Sequence, residues 1–222
     1  MSERVSLTTS GGHSLSAYLA TPDEGAPRGA LVVCQEIFGV NRHIRAITDG
    51  FANEGYLAIA PALFDRVKPD VELGYDEEDV AEGRRLRPQV AWDDAVEDIQ
   101  AAVEHVAGAG KTGVIGHCWG GSLAWLAACR LGIDAAVCYY GGHIFEHRAE
   151  TPNCPVLMHF GEIDQAIPMD QVAAIRELHT GAQIFTYPAG HGFNCDLRGS
   201  YDQDSATLAA DRTNNFLLEH IG

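Results

Sequence analysis

The chain has 222 residues, of which 15 are Lys or Arg and 31 are Asp or Glu, so its formal net charge is −16. This length, together with a hydrophobic content of 46%, predicts one globular domain spanning residues 1–222 and excludes a disordered chain. The acidic balance argues against nucleic acid as a partner, because phosphate backbones are bound by clustered Lys and Arg, and no apolar run approaches the roughly 18 to 20 residues that span a bilayer.

Short apolar segments along the chain are predicted to be strands. The first two cover residues 5–9 and 15–20. The later segments are nearly continuous apolar runs at 30–34, 56–60, 112–115, 135–140, 156–160 and 183–187. Runs of this kind are typical of strands buried on both faces of a parallel sheet.

Helical patterns separate the later strands. In the clearest pattern, Asp93 and Asp94 favour a helix start, and Val96, Ile99 and Val103 recur at spacings of three and four residues. Further helices are predicted at 43–54, 119–131, 168–179 and 205–220. The alternation predicts an α/β fold: a mostly parallel, doubly wound sheet with helices on both faces. Ligands bind such a sheet beyond the carboxyl ends of its strands.

Residues 68–88 fit neither pattern. The segment carries many acidic residues, followed by Arg84, Arg85 and Arg87. Charge runs usually form a solvated loop or helix face, and this is the interpretation that we favour. A lid or a substrate-facing loop is the alternative.

The residues Gly116-His117-Cys118-Trp119-Gly120-Gly121 follow the predicted strand 112–115 and precede a helical pattern. A strand that enters Gly-x-Cys-x-Gly and leaves as a helix is typical of a nucleophile elbow, here with cysteine in place of the commoner serine. The glycines permit the tight turn. The helix amino end and a neighbouring imidazolium would favour the thiolate of Cys118. We therefore predict that Cys118 attacks an acyl carbon.

A nucleophile of this kind needs a base and an orienting acid, which follow it in that fold in the order acid, then base. Asp164 and His191 each come shortly after a predicted strand, in the required order. His191 would transfer the proton, and Asp164 would fix its tautomer. The amides of Trp119 and Ile37 are the expected oxyanion hole. Glu36 follows a buried strand and requires a partner, because burying a lone charge is costly.

The cysteine pattern indicates no metal centre. None of the six cysteines forms a Cys-x-x-Cys pair, and His143 with His147 is a weak metal signal without a third ligand nearby. The first residues lack the basic and apolar regions of a signal peptide. We therefore expect free thiols in a cytoplasmic protein that requires neither a metal nor an organic cofactor.

Four groups of residues together resemble the dienelactone hydrolase family. They are Gln35-Glu36-Ile37-Phe38-Gly39 with Val40-Asn41, then Gly116 to Gly121, then Gly161 to Asp164, and finally Ala189-Gly190-His191. The resemblance extends from about residue 30 to the final helix. It implies a cysteine-dependent α/β-hydrolase that opens lactone or ester bonds with Cys118, Asp164 and His191. It also implies that Glu36 contacts the nucleophile and controls its ionisation until substrate arrives.

The resemblance further implies that two arginines hold an anionic substrate, one of them soon after the catalytic histidine. Here the first arginine after His191 is Arg198, and Arg84, Arg85 and Arg87 are further candidates. We predict that at least one of the four lines the pocket, and that Phe38 also contacts substrate.

The sequence leaves open whether the substrate is an acidic lactone or a neutral ester or thioester. A non-catalytic redox sensor that keeps an oxidisable Cys118 is a third possibility, although the intact acid and base argue against it. The expected partner is a small ester or lactone, and the expected oligomeric state is a monomer or weak dimer.

Overall fold

A computed structural model describes residues 1–222. Its eight strands form one sheet: β1 (Ser2–Thr8), β2 (Ser14–Ala20), β3 (Ala30–Cys34), β4 (Leu57–Pro61), β5 (Thr112–His117), β6 (Ala135–Tyr139), β7 (Val156–Gly161) and β8 (Gln183–Tyr187). The strand order is β1-β2-β4-β3-β5-β6-β7-β8. The β1–β2 and β2–β4 pairs are antiparallel, and every other pair is parallel. The predicted α/β architecture is thus confirmed.

The chain also forms six helices: α1 (Arg42–Asn53), α2 (Glu77–Leu86), α3 (Trp92–Val106), α4 (Trp119–Arg130), α5 (Met169–Leu178) and α6 (Gln203–His220). Five of them lie within three residues of their predicted bounds, and α2 falls in the charged segment for which no helix was specified. None of the six has the combination of length and apolar character that crossing a membrane requires.

The central strands form the core. Every residue of β3, β5, β6 and β7 is buried, so both faces of the sheet are covered there. This explains the continuous apolar runs, because strands with two covered faces show no alternation. Helix α4 is buried from Trp119 to Ala128, which anchors the start of that helix firmly against the sheet.

All six cysteines are free thiols. Cys34, Cys138 and Cys195 are buried, whereas Cys118, Cys129 and Cys154 are partly exposed.

Candidate active site

The sheet changes its winding direction at β3. The chain passes from β3 to β4 on one side, and β5 joins β3 on the other. Cys34 pairs with Gly116, so β3 and β5 end at the same level. The two loops that follow these strands therefore meet at the carboxyl edge of the sheet, where such folds bind ligands.

Cys118 occupies a sharp turn between β5 and α4. Its backbone has φ 56° and ψ −115°, a left-handed conformation that non-glycine residues rarely adopt. A Cβ on Gly116 would collide with the carbonyl of Gly120, and a Cβ on Gly120 would collide with the carbonyl of Cys34. Both flanking glycines are thus required by close backbone packing. The turn places Cys118 as the residue that caps the amino end of α4.

His191 lies between a thiol and a carboxylate. Its Nε2 is 3.1 Å from Cys118 Sγ, and its Nδ1 is 2.7 Å from Asp164 Oδ2. The other oxygen of Asp164 accepts a hydrogen bond from the Ala166 amide at 2.8 Å, which fixes the orientation of the carboxylate. Asp164 is buried, and His191 is partly exposed.

The surroundings of His191 favour its protonated form. Burial opposes protonation, but the Cys118 thiolate and the Asp164 carboxylate outweigh it and raise the pKa of His191 to about 10. The imidazolium form of His191 is therefore favoured near neutral pH, with Nε2 next to the sulfur of Cys118 and Nδ1 next to Asp164.

Two backbone amides beside Cys118 lack an acceptor. The N–H groups of Ile37 and Trp119 donate no hydrogen bond within the chain, and both residues line the cavity that contains Cys118. Trp119 is the first residue of α4, so its amide is one that the helix cannot satisfy. The structure brings together the two residues that the sequence suggested for an oxyanion hole.

Glu36 is bound differently from what the resemblance implied. Its side chain is buried, with Oε1 accepting a hydrogen bond from Arg198 Nη1 and Oε2 accepting one from the Tyr75 hydroxyl, both at 3.1 Å. No hydrogen bond joins Glu36 to Cys118, whose sulfur contacts His191 instead. The expected contact with the nucleophile is therefore replaced by an ion pair with Arg198.

The charged segment 68–88 borders the site, which corrects our preference for a purely solvated element. The amide of Leu73 donates to the carbonyl of Phe38 at 2.9 Å, and Asn41 Nδ2 donates to the carbonyl of Leu73 at 2.9 Å. Helix α2 then begins at an Asp76 cap, and Glu77 and Glu78 in its first turn are exposed. Its other face carries Val80 and Arg84 to the cavity.

A cavity of about 470 Å³ opens above Cys118. Its apolar wall consists of Ile37, Phe38, Val80, Trp119, Phe145 and Ala166. Its charged side chains are Arg84, Arg87, Glu146 and Arg198. This volume accommodates a small ester or lactone, and cations outnumber the single carboxylate on its lining.

The arginine candidates separate into two groups. Arg84, Arg87 and Arg198 line the cavity, whereas Arg85 does not. Arg85 is exposed and pairs with Glu82, with Nε donating to Oε2 at 2.7 Å. The expectation that Arg85 contacts substrate is thus wrong, because the helical rotation directs it to solvent.

Arg87 lines the cavity and has two hydrogen-bond donors without a partner. Its guanidinium carbon lies 3.9 Å from the ring centroid of Trp92, yet Nε and Nη2 are buried and have no hydrogen-bond partner. Burial lowers the pKa of Arg87, while Glu146 and Cys118 act in the opposite sense. Buried donors without partners are unusual in folded proteins.

Tyr75, Val80, His143 and Glu146 were not identified from the sequence as residues of the site. His143 lies edge-on to Trp92, with ring centroids 5.1 Å apart, and burial lowers its pKa. None of these residues belongs to a motif. Only Val80 could have been found from the sequence: it lies four residues before Arg84, so the two side chains share one face of a helix.

The model of the dienelactone hydrolase family matches residues 15–221. The carboxymethylenebutenolidase of Pseudomonas putida is 31% identical over 228 aligned residues, covering 98% of this chain and 96% of that protein. The crystal structure of a dienelactone hydrolase homologue from Klebsiella pneumoniae superposes with a TM-score of 0.84 at 31% identity, covering 96% of this chain and 97% of the other. An esterase from Pyrococcus furiosus, 14% identical, shares the fold with a TM-score of 0.75 over 100% of this chain and 93% of its own.

Proposed function

The chain belongs to the dienelactone hydrolase family, and from this premise we propose that it hydrolyses lactone or ester bonds with Cys118 as nucleophile, His191 as acid and base, and Asp164 as the group that orients His191. The observation that supports this most strongly is the pair of hydrogen bonds, 3.1 Å and 2.7 Å long, that link Cys118, His191 and Asp164. These residues occur along the chain in the order nucleophile, acid, base, which is typical of α/β-hydrolases.

In the first half of the reaction, the Cys118 sulfur forms a bond to the carbonyl carbon, and the carbonyl oxygen becomes an oxyanion. The amides of Ile37 and Trp119 donate hydrogen bonds to that oxygen. When the intermediate collapses, the ester C–O bond breaks and the imidazolium of His191 protonates the departing oxygen. The product of this half-reaction is a thioester on Cys118.

In the second half, neutral His191 removes a proton from water, and the resulting hydroxide attacks the thioester. Collapse breaks the C–S bond, releases a carboxylic acid and restores the thiolate and the imidazolium. Asp164 keeps Nδ1 of His191 protonated, so that Nε2 faces the sulfur and the water. All the groups required for these steps belong to the chain and the substrate.

We assign Glu36 a positioning role. Its ion pair holds Arg198 at the cavity lining, and its second oxygen holds Tyr75 of the charged segment. Because Glu36 immediately precedes Ile37, these contacts also fix the chain at the proposed oxyanion hole.

We propose that the preferred substrates carry a carboxylate and that Arg87 binds it. Arg87 supplies two buried donors with no partner, and a guanidinium binds a carboxylate with two parallel hydrogen bonds. Arg198 is already paired with Glu36 and contributes less free positive charge. Phe38 and Val80 would contact the apolar part of the substrate.

The alternative substrate class consists of neutral esters and thioesters, which the apolar wall of the cavity would also accept. A panel that compares acidic lactones such as cis- and trans-dienelactone with short p-nitrophenyl esters separates the two classes by kcat/KM. Preference for the acidic lactones supports the role of Arg87. Preference for the neutral esters, with Cys118 still essential, retains the triad and overturns the carboxylate assignment.

A further inference from the structure

A second cluster of reactive side chains lies behind the loop that follows β3. Glu36, His43 and Cys195 are all buried, and the atoms with which they could bind a metal lie within 4.8 Å of one another. The three residues come from the loop after β3, the first turn of α1 and the loop after His191. They are not part of the proposed triad.

The polar groups around this cluster are incompletely satisfied. Nε2 of His43 is buried and has no hydrogen-bond partner. The hydroxyl of Tyr140, a residue near Glu36 and Cys195, is also buried without a partner. A buried imidazole nitrogen without a partner is costly in a folded protein unless it serves a ligand.

The combination of thiolate, imidazole and carboxylate is a donor set that Zn²⁺ favours, with bond lengths of about 2.0 to 2.3 Å. In a tetrahedral site such bonds place the donor atoms about 3.3 to 3.8 Å apart. The distances between the three donor atoms would therefore have to shorten by about 1 Å at most to complete the site. We propose that Glu36, His43 and Cys195 form a binding site for Zn²⁺, which leaves a fourth position for water.

Binding forms a bond between Zn²⁺ and the Cys195 sulfur and releases the thiol proton to solvent. His43 binds as neutral imidazole and Glu36 as carboxylate. Two negative ligands then balance the charge of the ion, and the positive charge of Arg198 is left without its present partner.

The location of the cluster links metal binding to the reaction. Glu36 now accepts hydrogen bonds from Arg198 and Tyr75, and zinc would compete for the same oxygens. Release of Arg198, which lines the cavity, and displacement of the loop that carries Ile37 would both reduce activity. Zinc at this site is therefore an inhibitor that does not touch Cys118.

An exposed carboxylate lies next to His43. The carboxylate of Asp196 lies 3.7 Å from Nδ1 of His43 and is 70% exposed. A net charge of −16 also raises the local concentration of cations around the protein.

The test uses the Cys118→Ala protein, because the triad itself contains a thiolate and an imidazole that zinc could bind. Zn²⁺ is titrated against a chromophoric chelator, and Co²⁺ is used as a spectroscopic probe whose thiolate charge-transfer band reports a cysteine ligand. We expect a single equivalent of Zn²⁺ to bind and a cobalt–thiolate band to develop.

Three variants in the Cys118→Ala background assign the ligands. Cys195→Ser should abolish the band, and His43→Gln should weaken zinc binding by at least about tenfold. Cys154→Ser, which removes a partly exposed thiol elsewhere, should change neither result. Far-UV circular dichroism verifies folding, and His43→Gln remains as a test if Cys195→Ser does not fold.

Absence of stoichiometric binding would overturn the proposal, as would a cobalt–thiolate band that survives Cys195→Ser or zinc affinity that is unchanged in folded His43→Gln. Because the protein under test has no catalytic thiol, these outcomes are independent of the proposed hydrolysis.

Discussion

Gly83 of α2 packs directly against the main-chain carbonyl of Ile37. A Cβ at position 83 would overlap that carbonyl oxygen and come within 3.2 Å of the Ile37 side chain. The helix that borders the cavity and the loop that carries a proposed oxyanion donor thus meet without an intervening side chain. This contact explains why a glycine, a poor helix former, occupies a buried position in α2.

We predict that Gly83→Ala lowers kcat/KM by up to about 10²-fold, because the added methyl group must move either α2 or Ile37, and small displacements of catalytic groups have effects of this size. Gly50→Ala in α1 is the matched control, since a Cβ there meets nothing within 4 Å. The control should keep full activity and gain about 0.5–1 kcal/mol in the free energy of unfolding. Equal activity in the two variants would refute this account of the contact.

The role of Arg87 predicts a substrate-dependent effect. Arg87→Gln should lower kcat/KM for an acidic lactone about 10- to 100-fold, the equivalent of a hydrogen bond to a charged group. It should leave kcat/KM for a neutral p-nitrophenyl ester nearly unchanged. Arg85→Gln, which removes an exposed arginine paired with Glu82, is the control and should behave as the wild type. A uniform loss on both substrates would instead indicate a structural role for Arg87.

Helical phase explains why one arginine prediction was wrong. Arg84 and Arg87 are three residues apart and share a face, whereas Arg85 is rotated by about 100° from Arg84. The sequence of α2 contains few apolar residues, so its pattern did not indicate which face packs on the protein. The ion pairing of Arg85 with Glu82 follows from the same rotation.

The orienting carboxylate predicts a large kinetic effect. Asp164→Asn should reduce kcat by about 10²- to 10⁴-fold, because the amide favours the wrong tautomer of His191 and removes one of the charges that raise the pKa of His191. Asp170→Asn, at the exposed start of α5, is the control. Steady-state kinetics on any accepted ester tests this, and a loss of less than about tenfold would remove Asp164 from the proposed triad.

A buried histidine predicts loss of stability in acid. His159 Nδ1 lies 2.7 Å from the Tyr187 hydroxyl and Nε2 lies 3.0 Å from Thr213 Oγ1. Burial, with a smaller effect of Arg212, lowers the pKa of His159 to about 3. The unfolded chain titrates near 6.5, so it takes up the proton first as pH falls. The contribution of His159 is complete above about pH 6.5 and declines towards pH 3.

At pH 5 the difference between the pKa of His159 in the unfolded chain and in the folded protein corresponds to a loss of about 2 kcal/mol in the free energy of unfolding. Urea denaturation at pH 7 and pH 5 measures it. His159→Gln should be less stable than the wild type at pH 7 but should lose about 2 kcal/mol less between the two pH values. An identical loss in both proteins would show that His159 does not bind the proton on unfolding.

The central site follows from local sequence, whereas its surroundings depend on distant residues. Each proposed triad residue lies three or four positions after the end of a strand that the apolar pattern predicted, and the glycines around Cys118 identify the turn. The partners of Glu36 could not be inferred, since Tyr75 and Arg198 are 39 and 162 positions away in the chain and neither belongs to a motif. The buried cluster of Glu36, His43 and Cys195 could not be inferred either, because these residues follow no characteristic spacing in the sequence.

The most direct test of the account is to identify the residue that carries the acyl group during turnover. Wild-type and His191→Gln proteins are mixed with a short p-nitrophenyl ester, quenched in acid and digested, and the acylated peptide is identified by mass spectrometry. We predict a thioester on Cys118 that accumulates further in His191→Gln, because removal of the base slows its hydrolysis. An acyl group on a different residue, or turnover that continues in Cys118→Ala, would contradict the proposed mechanism.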